Sequence, residues 1–166
     1  MYDATKGYAY KGIKCEAHNS YITHIDYSSD GKYLRSTCGA YELLFHSASN
    51  GAQDPSGASK LKNTEFSNET CTLGWGVQGI WPEAADGTDV NAVCKSGDGK
   101  LLAPADDLGA VKVFNYPCVS KGNGFIAGKG HSSHVTNVRF QQGDEYVVTT
   151  GGNDRSILQW KISKWV

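Results

Sequence analysis

Residues 131–160 read HSSHVTNVRFQQGDEYVVTTGGNDRSILQW, and this stretch decides the fold. Three short runs of apolar and β-branched residues lie at 134–140, 146–150 and 156–160. Gly, Asn and Asp at 143–144 and 151–154 accept the tight or left-handed conformations that hairpins need. The stretch therefore predicts an antiparallel meander of three strands.

The meander occurs three times in the chain. Spacings of 68 and 45 residues separate the copies, and the first and second strands give the same two spacings. The equivalent positions are Ile22, Val90 and Val135 in the first strands, and Tyr33, Leu101 and Tyr146 in the second. A period of about 45 residues is typical of β-propeller blades. The longer spacing of 68 residues predicts an insertion of about 23 residues between the first two copies.

The last copy resembles a WD repeat. His131 follows Gly130, and Asp154 stands six residues before Trp160. In that family a His, a Ser or Thr, an Asp and a Trp form a hydrogen-bonded set, and the resemblance implies that His131, Thr150, Asp154 and Trp160 form it here. Buried polar groups of this kind must satisfy one another. We expect a structural tetrad rather than a catalytic triad, because no GxSxG-type elbow supplies a nucleophile.

The other two copies depart from this pattern. The first keeps His18 but has Ala40 at the Asp position and His46 at the Trp position. The second has Phe114 in place of Trp. Pro104 lies inside its second predicted strand, where it removes a ladder donor or marks a bulge.

Composition excludes several classes of function. The net charge is −1, which gives no electrostatic signal for nucleic acid or an anionic membrane. No apolar run approaches the roughly 20 residues that span a bilayer, and the polar start MYDATKGYAY is not a signal peptide. The five cysteines are widely spread and are expected to be free thiols in a reducing compartment.

The segments outside the three meanders carry two further predictions. Residues 8–15 are predicted to form an outer strand, and residues 48–87 to carry another outer strand and the insertion. Residues 73–82, LGWGVQGIWP, place Trp75 and Trp81 among three glycines. These side chains either fill the gap between blades or form a contact patch for a protein partner, since Trp is enriched at interface hot spots.

The insertion and the repeats together resemble the echinoderm microtubule-associated protein-like family. CTLGWGVQGIWPEAADGTDVNAVCKS, KLLAPADDLGAVKVFNYPC, GHSSHVTNVRF and GGNDRSILQW carry the resemblance, which covers nearly the whole chain. It implies the C-terminal part of a tandem WD-repeat propeller region. It also implies a non-enzymatic module of the cytoplasmic cytoskeleton that binds tubulin or microtubules. An adaptor for a non-tubulin protein partner is the alternative, because fold does not fix function.

The domain prediction is an all-β partial propeller over residues 1–166, with repeats at about 18–47, 88–117 and 131–162. Three blades do not close a conventional ring. We expect a piece of a larger protein, and self-association to complete the propeller is a further hypothesis, in which residues 8–15 would supply the missing strand of a partner.

No cofactor and no metal are predicted. The spacings Cys15-x2-His18 and His131-x2-His134 are single half-sites, which by themselves do not make a zinc site. Carboxylates suitable for acid–base chemistry stand at predicted turns, where Asp commonly serves as a turn former: Asp86, Asp89, Asp106 and Asp107. We therefore expect no enzymatic activity.

Overall fold

A computed structural model describes residues 1–86 and 89–163. Gly87 and Thr88, where the predicted insertion meets the predicted second repeat, and the last three residues lie outside this part. In the described residues, twelve strands form four antiparallel sheets. No helix among these residues is long and apolar enough to cross a membrane. The chain divides into two compact units, Met1–Ser67 and Asn68–Val166.

The first unit holds a hairpin and one three-stranded sheet. Strands β1 (Tyr2–Asp3) and β2 (Ala9–Tyr10) pair around a short 3-10 helix, Ala4–Lys6. The sheet contains β3 (Ile22–Tyr27), β4 (Tyr33–Cys38) and β5 (Leu43–Ser47). The strand predicted at 8–15 is thus reduced to two residues. The left-handed φ angles of Tyr8, 60°, and Gly12, 73°, explain this, because extended strands require negative φ.

The outer strand predicted after β5 is absent from the described residues of the first unit. The chain instead turns at Gly51, where φ is 75°, and bridges back from Gln53 to His46. Helix α1 (Gly57–Lys60) then packs on Phe45. Gly57 is required here, since a Cβ at this position would lie 2.4 Å from the Cβ of Phe45.

The second unit contains the other two meanders. The first is a four-stranded sheet of β6 (Val90–Lys95), β7 (Leu101–Asp106), β8 (Ala110–Asn115) and β9 (Phe125–Lys129). The next contains β10 (Val135–Phe140), β11 (Tyr146–Gly151) and β12 (Ile157–Lys161). The registers of the three meanders agree, because the pairs Leu34–His46, Leu102–Phe114 and Val147–Trp160 occupy the same position. The predicted all-β fold of propeller blades is confirmed.

The inner strands β6 and β7 of the four-stranded sheet are covered on both faces. On one face Val93, Leu102 and Phe114 pack against Val77 and Ile80 of the 3-10 helix Trp75–Ile80. The other face carries small side chains, Ala92, Ala103 and Ala105, which pack against the valines of the last blade. The insertion therefore covers one face of its blade, as a neighbouring blade does on the other.

Pro104 lies within β7 without a bulge at its own position. It pairs with Val93 of β6, and the register with β8 is the same before and after it. The assigned pairs between β7 and β8 pass from Leu102–Phe114 to Ala105–Val111. The missing N–H of proline thus interrupts the ladder without shifting its register.

Candidate functional site

The last blade contains a buried polar set centred on His131. Its Nδ1 lies 2.8 Å from Oδ2 of Asp154, and its Nε2 lies 2.7 Å from the hydroxyl oxygen of Thr149. The indole N–H of Trp160 donates to the same hydroxyl at 2.8 Å. These contacts connect the segment before β10, strand β11, the turn after it and strand β12 in one hydrogen-bonded set.

The prediction for Thr150 is corrected, because Thr149 is the tetrad residue. Side chains alternate along a strand, so adjacent positions face opposite sides of the sheet. Thr149 is 1% exposed and faces the imidazole of His131. The hydroxyl of Thr150 lies on the other side, 2.8 Å from that of Thr136. A matching threonine pair, Thr23 and Thr37, occurs in the first blade at 2.9 Å.

Asp154 is ionised over the whole physiological range. Burial raises the pKa of this carboxyl, but the Ser156 N–H and side chain, His131 and the Ser132 N–H donate to it and hold its pKa at about 2. Gly151 is required beside it, because a Cβ there would lie 1.8 Å from Oδ1 of Asp154. The tetrad carboxylate thus occupies the space that a side chain at position 151 would need.

The first blade holds a different polar set around His18. The Nε2 of His18 lies 2.8 Å from the hydroxyl of Ser36, and Nδ1 lies 3.3 Å from Oε2 of Glu42. The Asn19 N–H, the Asn19 side chain and the Cys38 thiol lower the pKa of Glu42 to about 2. Sequence comparison finds Ala40 at the Asp position but misses Glu42, which supplies the carboxylate from two residues later.

His46 occupies the Trp position of the first blade and is 1% exposed. Neither of its ring nitrogens has a hydrogen-bond partner. Burial and the nearby His18 lower its pKa, so the ring is neutral at pH 7. The shorter imidazole does not reproduce the hydrogen bond that the indole of Trp160 makes with Thr149.

The two tryptophans of the insertion differ in exposure. The ring of Trp75 is 42% exposed on the surface of the 3-10 helix. Trp81 packs against the buried cluster of the four-stranded sheet and donates its indole N–H to the carbonyl of Thr72 at 2.9 Å. One edge of Trp81 also lines an open groove of about 280 Å³, together with Gln78, Pro82 and Lys121.

The carboxylates of the predicted turns make turn contacts. Asp106 accepts from the N–H of Leu108 at 3.0 Å and pairs with Lys112 at 2.6 Å. Asp107 accepts from the side chain of Asn91 at 2.7 Å, and Asp89 accepts from the N–H of Asp86 at 2.9 Å. Asp106 and Asp89 thus stabilise local backbone, as expected of turn-forming Asp, whereas Asp107 bonds a side chain of β6.

Blades of antiparallel strands, the last of which contains a His–Thr–Trp–Asp hydrogen-bonded set, define the class of WD-repeat β-propellers. A family model described as "Echinoderm microtubule-associated protein second beta-propeller" matches residues 1–162. The chain belongs to this family, and the resemblance drawn from its sequence is confirmed.

Individual relatives agree with the assignment. Echinoderm microtubule-associated protein-like 2 of Rattus norvegicus is 48% identical over 150 residues, which cover 90% of this chain and 23% of the relative. The corresponding protein 4 of Homo sapiens is 44% identical over 149 residues, covering 90% of this chain and 15% of the relative. The chain therefore spans less than a quarter of either protein's length.

A solved structure shows the same fold. The computationally designed Ika4 protein superposes with a TM-score of 0.54 at 15% identity, covering 93% of this chain and 99% of that one. At this identity the likeness concerns the fold alone.

Proposed function

We propose that the chain is a non-enzymatic interaction module of the cytoplasmic cytoskeleton, which binds tubulin or microtubules as part of a larger protein. Its membership of the echinoderm microtubule-associated protein family, over residues 1–162, carries this proposal. The relatives that match 90% of the chain are named as microtubule-associated proteins.

The surface around Trp75 and Trp81 is the proposed protein contact. Trp75 exposes 42% of its surface, although burial of this residue would be favourable. The adjoining groove presents mainly apolar surface with Lys121 at its edge. Exposed aromatic rings beside a concave apolar surface are typical of interface anchors.

Co-sedimentation with polymerised tubulin tests the proposal, using both this chain and a longer protein that contains it. We expect Trp75→Ala to reduce the bound fraction. Leu108→Ala is the matched control, because Leu108 is 70% exposed in the same unit and lies in a turn of the four-stranded sheet. The proposal fails if neither protein sediments with microtubules and neither binds free tubulin dimers.

The open groove beside Trp81 also supports an adaptor role toward a non-tubulin protein. In that case the folded chain binds neither tubulin nor microtubules. A purified partner would then bind it with an affinity that Trp75→Ala and Trp81→Phe reduce, while Leu108→Ala leaves it unchanged.

A further inference from the structure

The first blade differs from the last blade at three tetrad-related positions, and the differences depend on one another. Counting back from the paired positions His46 and Trp160, Ala40 stands where the last blade has Asp154, and Glu42 where it has Ser156. Counting from the second strands, Cys38 stands where the last blade has Gly151.

These replacements change which side chains surround the histidine. In the last blade a side chain at position 151 would collide with Asp154. In the first blade Ala40 leaves that space free, and the Cys38 side chain occupies the equivalent strand position, with its thiol 3.2 Å from Oε2 of Glu42. Ser156 contacts Nδ1 of His131 at 3.0 Å, and Glu42 contacts the same nitrogen of His18. The hydrogen-bonded tetrad of the last blade is thus replaced in the first blade by an imidazole, a thiol and a carboxylate that lie close together.

The candidate ligand atoms of His18, Cys38 and Glu42 are separated by distances close to those between the ligands of one metal ion. Nδ1 of His18 lies 3.3 Å and Sγ of Cys38 lies 3.2 Å from Oε2 of Glu42, and all three atoms lie within 4.8 Å of one another. Ligands bound to tetrahedral zinc at about 2.0–2.3 Å are about 3.3–3.8 Å apart. The side chains therefore need only small shifts to contact one ion.

Surrounding hydrogen bonds already orient two of these ligands. Nε2 of His18 is held by the hydroxyl of Ser36 at 2.8 Å, which leaves Nδ1 facing the cluster. Oε1 of Glu42 accepts from the side chain of Asn19. Outer contacts of this kind fix ring tautomer and carboxylate orientation in metal sites. Cys38 is 3% exposed, and the side chain of Glu42 is 27% exposed, so solvent reaches the cluster from the glutamate side.

We propose that His18, Cys38 and Glu42 bind a zinc ion, with water from solvent in the fourth position. This assignment differs from the expectation that the chain has no metal site, and it pairs His18 with residues of β4 and the following turn rather than with Cys15. Binding replaces the proton of the Cys38 thiol, which passes to solvent. The ion would join the segment before β3, the end of β4 and the turn that precedes β5. Three protein ligands and one open position give an exchangeable site rather than a closed structural one.

Calorimetric titration of the 166-residue chain with zinc chloride tests the site, together with absorption spectra of the cobalt(II) complex. We expect one tight equivalent and a near-ultraviolet thiolate-to-cobalt band. Cys38→Ser and Glu42→Gln should each weaken zinc binding at least tenfold, and Cys38→Ser should remove the band. Cys15→Ser is the control and should change neither, because Cys15 is an exposed thiol of the same unit.

Circular dichroism of each variant shows whether it is folded, and Glu42→Gln retains a side chain of the same shape. The proposal is overturned if the parent chain binds no zinc, which would leave the cluster as a hydrogen-bonded replacement for the tetrad. It is equally overturned if Cys38→Ser and Glu42→Gln bind as tightly as the parent, or if the thiolate band depends on Cys15.

Discussion

Thr149→Val isolates the hydrogen bonds of the tetrad. Valine keeps the branched shape and the strand preference of threonine but has no hydroxyl. In the last blade this hydroxyl lies 2.7 Å from Nε2 of His131 and accepts the indole N–H of Trp160 at 2.8 Å. Thr149 is 1% exposed, so water does not readily replace the lost group. The substitution therefore leaves two polar nitrogens without this partner.

The expected loss of stability follows from those two nitrogens. A buried polar group that loses its partner costs about 1–3 kcal/mol. Trp160 is partly buried, which places its share at the lower end. We expect the free energy of unfolding of the second unit to fall by about 2–4 kcal/mol. For a domain of about 100 residues, this lowers the melting temperature by roughly 10 °C or more.

Tryptophan fluorescence during urea or thermal unfolding measures this loss. All four tryptophans lie between positions 75 and 165, so the signal reports the second unit. Thr150→Val is the matched control, because it removes an identical hydroxyl from the neighbouring position on the other face. We expect it to change stability by less than about 1 kcal/mol. Equal losses for the two variants, or a greater loss for Thr150→Val, would refute the assignment of Thr149.

Three further predictions concern the acid sensitivity of Asp154, the lack of room for a side chain at Gly128, and the buried ion pair of Arg35 and Asp26. The folded-state pKa of Asp154, about 2, lies below its ordinary value of 3.8, so the ionised carboxylate stabilises the fold above about pH 4 and this contribution is lost toward pH 2. The difference in urea midpoint between the parent and Asp154→Asn should therefore shrink as the pH falls from about 4 to 2. Gly128→Ala should lower the melting temperature, because the new Cβ would lie 2.7 Å from the tetrad indole, whereas Gly124→Ala meets nothing within 4 Å and should melt like the parent. Arg35→Met removes the guanidinium that donates at 3.0 Å to the buried Asp26, and should destabilise the first unit by about 3–5 kcal/mol, measured by faster amide hydrogen exchange in its sheet.

The positions of the inner strands could be predicted because their signal is local and repeated. Alternating apolar residues and Gly, Asn or Asp turns define a strand within a few residues, and three copies in the same register reinforce one another. The outer elements lack this support. Residues 8–15 contain alternating apolar positions, but the positive φ of Gly12 ends the strand early. After β5, packing of α1 on Phe45 replaces the expected outer strand, and that contact has no local sequence pattern.

The two errors in the polar sites have different physical origins, and both depend on how neighbouring strands are connected and paired. A strand turns its side chains to opposite faces at every residue, so consecutive threonines at 149 and 150 are equivalent in composition and opposite in role. Only the register with β12 shows that Thr149 shares a face with Trp160. In the first blade, the turn between the second and third strands is one residue shorter, and Glu42 reaches His18 from two residues beyond the expected position. When the first copy is aligned residue by residue with the WD-repeat pattern, Ala40 stands at the Asp position and the polar site is interpreted as lost. The three-dimensional arrangement shows that the carboxylate has moved and that Cys38 has entered the space beside it, which makes the first blade chemically distinct rather than merely degenerate.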